Sequence, residues 1–295
     1  MQNGNLKFKT IVVATDLRYA ASSALRYAQG IARIHGSTLV VVHVIDPIAY
    51  AFPHGAPAFQ AADLAAFEEL KRIEEETRRL GIPVHSVVET GTVCERILQA
   101  IEDHNGDLLV LGTRGNTAAG RVALGTVARQ LLARASCPIM TVSPQADATL
   151  PWVGCWRRVL AATDFSPASI AGLRCAHQVA LRQLIALHVS SCQETRECSQ
   201  CQGRLRFFAP FNESHTVPVE HIVTPGQAGE KIVEYAWKYA VDLVVLGSPT
   251  NELVDEDFQT STVLHVISNV SCPVLCVPVA KTASPVEVIR AVAMV

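Results

Sequence analysis

A chain of 295 residues, 49% hydrophobic and 18% charged, has enough apolar side chains for two ordinary domains, each with its own core. Its formal charge of -2 sets up no long-range field for a polyanion, so DNA or RNA is excluded as the main partner. The opening MQNGNLKFKT lacks the pattern of an export signal and no apolar run approaches a bilayer's width; the expectation is a cytoplasmic protein with no membrane partner, its nine cysteines kept as thiols.

In chain order, residues 10–15 predict a strand, 20–35 a helix and 38–45 a second strand. The Glu/Lys/Arg-rich segment 61–80 reads as an amphipathic helix that Gly81 ends. Strands at 84–89, 107–111 and 139–142 follow, with helices at 93–104 and 125–135 between them. The strand runs are almost wholly apolar rather than alternating, as required where helices cover both faces of a parallel sheet. Residues 143–155 hold prolines at 144 and 151 and little periodicity, which places a linker there and domains at 1–145 and 156–295.

The second half repeats the first. Val12-Val13-Ala14-Thr15-Asp16 is echoed by Leu160-Ala161-Ala162-Thr163-Asp164, and Leu25-Arg26-Tyr27-Ala28 by Leu173-Arg174-Cys175-Ala176. His43-Val44 answers to His188-Val189, and Thr90-Gly91 to Pro225-Gly226. Asp107 to Gly112 matches Asp242 to Gly247, and Ser136-Cys137-Pro138 matches Ser271-Cys272-Pro273. Matched blocks in a constant order indicate duplication. The fold class is therefore α/β: two tandem, doubly wound domains of Rossmann-like or flavodoxin-like type, each with a five-stranded parallel sheet.

Open parallel sheets bind ligands beyond the carboxyl ends of their strands. After Leu111 comes Gly112-Thr113-Arg114-Gly115, then nine residues, then Gly125-Thr126 opening a helix. Gly112 and Gly115 let backbone approach a ligand where a Cβ would clash. Gly125-Thr126 offers backbone N–H groups and a hydroxyl at a helix N-terminus, which favours phosphate, and Arg114 and Arg121 add positive charge. This is neither the Gly-Lys-Ser/Thr loop of the P-loop proteins nor the dinucleotide G-x-G-x-x-G.

The spacing G-x2-G-x9-G-[S/T] resembles the ATP-binding motif of the universal stress protein family and matches it at every fixed position. The resemblance extends to Thr15-Asp16, Thr163-Asp164-Phe165-Ser166, His43-Val44-Ile45-Asp46 and the Ser-Cys-Pro pairs. It implies an adenine nucleotide α-hydrolase-like fold and ATP, with or without Mg, as the bound cofactor. By position it implies that Ala14, Asp16 and Val44 contact the nucleoside, while Leu111, Gly112, Arg114, Gly115, Gly125, Thr126 and Val127 surround the phosphates. Asp16 has a competing role as a cap for the following helix, and the ligand role is preferred because it shares a sheet edge with the glycine loop. His43 is assigned to the core or the strand end.

The second copy reads Gly247-Ser248-Pro249-Thr250 and then, nine residues on, Thr260-Ser261. Threonines replace two of the glycines, Pro249 removes a backbone donor, and Glu252, Asp255, Glu256 and Asp257 would repel a triphosphate unless a metal intervened. This copy is not expected to bind ATP in the usual way. Residues 190–211 replace the long charged helix of the first copy and contain Cys192, Cys198 and Cys201. Cys198-x-x-Cys201 has the spacing of a zinc knuckle that Cys192 or His188 would complete; ordinary thiols are preferred, because His188 repeats His43, which no cysteines follow. Cys94, Cys137, Cys175, Cys272 and Cys276 lie in apolar runs and read as core filler. The apolar tail 284–295 is expected to pack on a sheet edge or a partner.

The resemblance implies an ATP-binding stress-response protein in which nucleotide occupancy biases conformation or partner choice. It also implies an intrachain pseudo-dimer, with further association into a homodimer and the protein partners left open. The alternatives are a slow ATPase or phosphotransferase, which lacks any nucleophile–base pair beside the glycine loop, and a zinc or thiol sensor centred on the second-half cysteines.

Overall fold

A computed structural model describes residues 6–17, 22–47, 55–113, 124–146, 154–190, 195–210, 217–248 and 262–279. The chain forms two compact units. One comprises Lys7–Leu131 and Ile139–Gly154; the other is built on the residues from Cys155 onward and takes in Leu132–Pro138.

The first repeat runs β1 (Thr10–Ala14), α1 (Ser22–His35), β2 (Thr38–Ile45), α2 (Gly55–Arg79), β3 (Val84–Thr90), α3 (Val93–Asp103), β4 (Leu108–Gly112), α4 (Thr126–Arg134) and β5 (Ile139–Val142). Its strands lie in the order β3-β2-β1-β4-β5, with parallel pairings throughout. The second repeat runs β6 (Trp156–Ala162), α5 (Pro167–Val179), β7 (Ala180–Ser190), α6 (Thr195–Phe208), β8 (Val219–Pro225), α7 (Ala228–Lys238), β9 (Leu243–Ser248), α8 (Thr262–Asn269) and β10 (Val274–Pro278). Its order, β8-β7-β6-β9-β10, is the same and also parallel. Both are doubly wound α/β sheets.

The central strands have no solvent face. Ile11, Val12, Val13, Leu39, Val41, Leu108, Leu109 and Val110 are buried, which is why their sequences are continuously apolar. The helices are amphipathic instead. On α2, Ala66, Leu70, Ile73 and Thr77 make a buried stripe, while Arg72 pairs with Glu69 and Glu76 on the wet face. Gln29 Nε2 donates to Thr77 Oγ1 at 2.8 Å, joining α1 to α2.

Several element ends shift by a residue from the sequence-based expectation, and three departures have a physical reason. Helix α2 begins at Gly55, ahead of the charged pattern that starts near 61; Pro57 sits in its first turn, where a missing N–H breaks no intrahelical bond. Strand β4 begins at Leu108 rather than Asp107. Asp107 instead accepts the backbone N–H groups of Lys9 (2.7 Å) and Thr10 (3.1 Å), clamping the entrance of β1. Asp242 repeats the device on Arg157 and Arg158. Finally, the cysteine-bearing segment after β7 does contain a helix, α6, of 14 residues against 25 in α2. The linker residues 147–153 and the tail 284–295 fall outside the described residues.

Candidate functional site

In this strand order the chain builds outward from β1 to β3, then crosses back to β4 and β5. The loops diverge between β1 and β4 and leave a crevice beyond their carboxyl ends. A cavity of about 340 Å³ opens there in the first unit, within the size range of small-molecule sites.

Its rim is made by strand ends. Ala14, Thr15 and Asp16 leave β1, Val42, His43 and Val44 come from β2, and Leu111, Gly112 and Thr113 from β4. The turn after β1 is held by the Thr15 hydroxyl, which accepts the Leu17 N–H at 3.0 Å. That bond brings Leu17 to φ +58°, a left-handed conformation that costs a residue with a Cβ. The turn is repeated in the second unit, where Thr163 Oγ1 accepts from Phe165 N at 2.9 Å and Phe165 has φ +66°. His43 Nδ1 donates to the Thr15 carbonyl at 2.9 Å, and His188 Nδ1 donates to the Thr163 carbonyl at 2.8 Å. These histidines tie each second strand to the turn that leaves the first.

The far wall is the start of α4, with Gly125, Thr126, Val127 and Ala128 on the cavity. The first N–H groups of a helix have no intrahelical acceptor, so this wall presents donors and the positive end of the helix dipole. Val93 and Ile97 of α3 and Leu131 of α4 add an apolar surface. The cavity thus combines an apolar floor, a carboxylate at Asp16 and a donor-rich wall, which suits an amphiphilic anion with one flat apolar end.

Every described residue that the sequence motif singled out lines this cavity: Ala14, Asp16, Val44, Leu111, Gly112, Gly125, Thr126 and Val127. Arg114, Gly115 and Arg121 lie outside the described residues. Asp16 stands at the cavity, and residues 18–21, between it and the described part of α1, lie outside the described residues. In the second unit the helix cap at the matched turn is Ser166, whose Oγ accepts from Ser169 N at 3.3 Å; Asp164 instead accepts from Ser166 N at 2.9 Å. Sequence reasoning missed Thr15, Val42, Val93, Ile97, Thr113, Ala128 and Leu131 as lining residues, and His43, assigned to the core or the strand end, lines the cavity as well. The apolar stripe of α3 was a signal for Ile97, but only the crossover connection tells which crevice it floors.

A model of the universal stress protein family matches residues 7–143 and again 156–278. The chain belongs to the universal stress protein family. A Thermus aquaticus relative, described as "Universal stress protein in QAH/OAS sulfhydrylase 3'region", is 35% identical over 137 residues, 46% of this chain and 98% of that protein. A universal stress protein of Mycolicibacterium smegmatis is 31% identical over 196 residues, 61% of this chain and 63% of its own length. The crystal structure of a universal stress protein from Archaeoglobus fulgidus DSM 4304 superposes with a TM-score of 0.72 at 18% identity, covering 92% of this chain and 98% of that one. At that identity the superposition speaks for the fold.

In the second universal stress protein unit the helix after the first strand is seated closely on the matched strand end. A Cβ on Gly247 would stand 2.3 Å from the Ala168 carbonyl carbon and from Ser169 N, so this glycine is required by the seating of α5 on β9. Residues 249–261, with Pro249, Thr250, Thr260 and the acidic cluster, lie outside the described residues. So do Cys192 and the side chain of Cys198. Cys201 is a half-buried thiol on α6, and the His188 ring packs on Phe165 at 4.4 Å between centroids. Cys94, Cys137, Cys175 and Cys276 are buried as expected of core residues. Cys272 keeps partial exposure as a residue, although burial of its thiol pushes it up to about 12. Among the described residues no helix is long and apolar enough to cross a membrane.

Proposed function

We propose that the first unit binds an adenine nucleotide, ATP in particular, at the β1/β4 crevice. In this reading Ala14, Asp16 and Val44 take the nucleoside, with Asp16 accepting from the ribose hydroxyls. Leu111, Gly112, Gly125, Thr126 and Val127, joined by Arg114 and Gly115, surround the phosphates, where free helix amides and an arginine favour negative charge. The observation that carries the reading is the convergence of the motif residues on one cavity at the sheet's switch point. Family membership is consistent with it.

The second unit, with threonines at 250 and 260, Pro249 and four nearby carboxylates, does not bind ATP in this manner and serves as a scaffold for the first or binds something different. Nucleotide occupancy of the first unit biases conformation or partner choice, the form a cytoplasmic stress-response role takes here. Calorimetric titration of the full chain with ATP tests the reading. One site per chain is expected, abolished in a Gly125→Val variant whose melting temperature is unchanged; no heat and no thermal shift in the unsubstituted chain would overturn it.

A further inference from the structure

Strand β3 ends the strand order of the first unit, and among the described residues it pairs with β2 alone. The Pro83 carbonyl accepts from Leu39 N at 2.8 Å, and Gly91 N donates to the Ile45 carbonyl at 3.1 Å. Because backbone groups alternate sides along a strand, the residues between these two that face outward are Val84, Ser86, Val88 and Thr90. A row of outward N–H and C=O groups is a template for another strand.

The Ser86 amide on this edge is already taken. Glu74 of α2 accepts the Ser86 N–H at 2.6 Å and the Ser86 hydroxyl at 2.7 Å through one oxygen, while its other oxygen holds Arg78 at 2.7 Å. An added strand would run about 4.8 Å from β3, through the space this carboxylate fills. The second unit caps its own edge at the matched residue. There β8 is the outer strand, Pro218 and Gly226 bond to β7, and His221 faces outward. Its carbonyl accepts from Gln202 Nε2 of α6 at 3.2 Å. Ser86 lies opposite Val41 and His221 opposite Ala186, the same register in the two repeats. A carboxylate in one copy and an amide in the other thus cover one position by different chemistry.

The exposed strand is also complementary to itself. Turned antiparallel against a second copy about Val87, it sets Ser86 opposite the second copy's Val88, both with outward backbone groups. His85 then meets the second copy's Glu89 at the closer, non-bonded positions, a base against an acid. We propose that β3 is a strand-addition surface for a second copy of this chain, held shut by Glu74. Gln202 guards β8 in the same way.

The test is sedimentation velocity of the full chain over a range of concentrations, with hydrogen exchange read by mass spectrometry on the same samples, for the parent, Glu74→Ala, Glu74→Gln and Gln202→Ala. Glu74→Ala is expected to form a species of about twice the parent's mass as concentration rises, with exchange in residues 84–90 slowing in step. Glu74→Gln keeps an oxygen for the Ser86 amide and is expected to keep the parent's mass. An unchanged mass for Glu74→Ala overturns the proposal, as does association that leaves exchange at 84–90 unaltered. Association of Glu74→Gln as strong as that of Glu74→Ala overturns it too. Should Glu74→Ala fail to fold, Gln202→Ala, which removes a single neutral bond, decides by the same two readings at residues 219–225.

Discussion

His43 Nδ1 donates to the carbonyl oxygen of Thr15 over 2.9 Å, so a side chain from β2 holds the turn through which the chain leaves β1. Because both residues border the cavity, the bond joins two parts of its rim. Replacing His43 by Ala is expected to cost about 1–2 kcal/mol of stability and to weaken nucleotide binding as well. His188→Ala removes the matching bond in the second unit and is expected to cost a similar amount of stability while leaving nucleotide affinity alone. Denaturant melts and titrations on the two variants check the difference.

Asp107 holds two backbone N–H groups at the start of β1. Charged acceptors make the stronger class of hydrogen bond, and Asp107→Ala is expected to destabilise the first unit by about 2–3 kcal/mol. Asp107→Asn keeps one acceptor oxygen and is expected to cost less. Urea unfolding of the two variants gives the order directly.

Gly247→Ala forces a methyl against backbone atoms of α5 at 2.3 Å, where no side chain can swing away, and is expected to cost about 3 kcal/mol. Gly203, inside α6 with nothing within 4 Å of its Cβ position, behaves oppositely. Its change to Ala is expected to add about 0.5–1 kcal/mol through helix propensity alone. Thermal melts of the pair separate steric crowding from backbone entropy.

Glu74 accepts from the Ser86 amide (2.6 Å) and hydroxyl (2.7 Å) and pairs with Arg78. Burial pushes its carboxyl up, but these bonds outweigh burial and hold it below its ordinary value of 4.5. A depressed folded-state value means stability present above pH 4.5 and lost as pH falls through the folded-state value. Stability of the parent is therefore expected to fall more steeply below about pH 4.5 than that of Glu74→Gln. Chemical denaturation at stepped pH on the two proteins reads this out.

Burial pushes the Cys175 and Cys276 thiols up to about 12, leaving almost no thiolate at neutral pH. Among the described residues, half-buried Cys155 and Cys201 are expected to alkylate ahead of these two in the folded protein. Mass-spectrometric mapping after brief iodoacetamide treatment checks the order; early labelling of Cys276 would mean that the β10 core opens readily.

The sequence was most transparent where burial is complete. Strands at 38–45 and 139–142 could be bounded to the residue, because strands covered on both faces are mostly apolar along their length. Legibility fell where a residue's role depends on a distant partner. Asp107 looks like the polar end of a strand until Lys9 and Thr10 are beside it, and the Gly/Ala/Pro-rich start of α2 carries no charge periodicity. The motif marked one wall of the cavity through its glycines, since close backbone approach leaves a trace in residue type. Val93, Ile97 and Leu131 showed only as apolar residues of a helix face, which look the same whether they meet core or crevice.

The left-handed turns at Leu17 and Phe165 bear on how the crevice meets a guest. Each is locked by a threonine hydroxyl and braced by a histidine, so the backbone strain is borne permanently rather than on demand. A rim set in advance loses little disorder when a small molecule arrives. Uptake by the first unit should therefore resemble a coin entering a slot more than a hand closing on it.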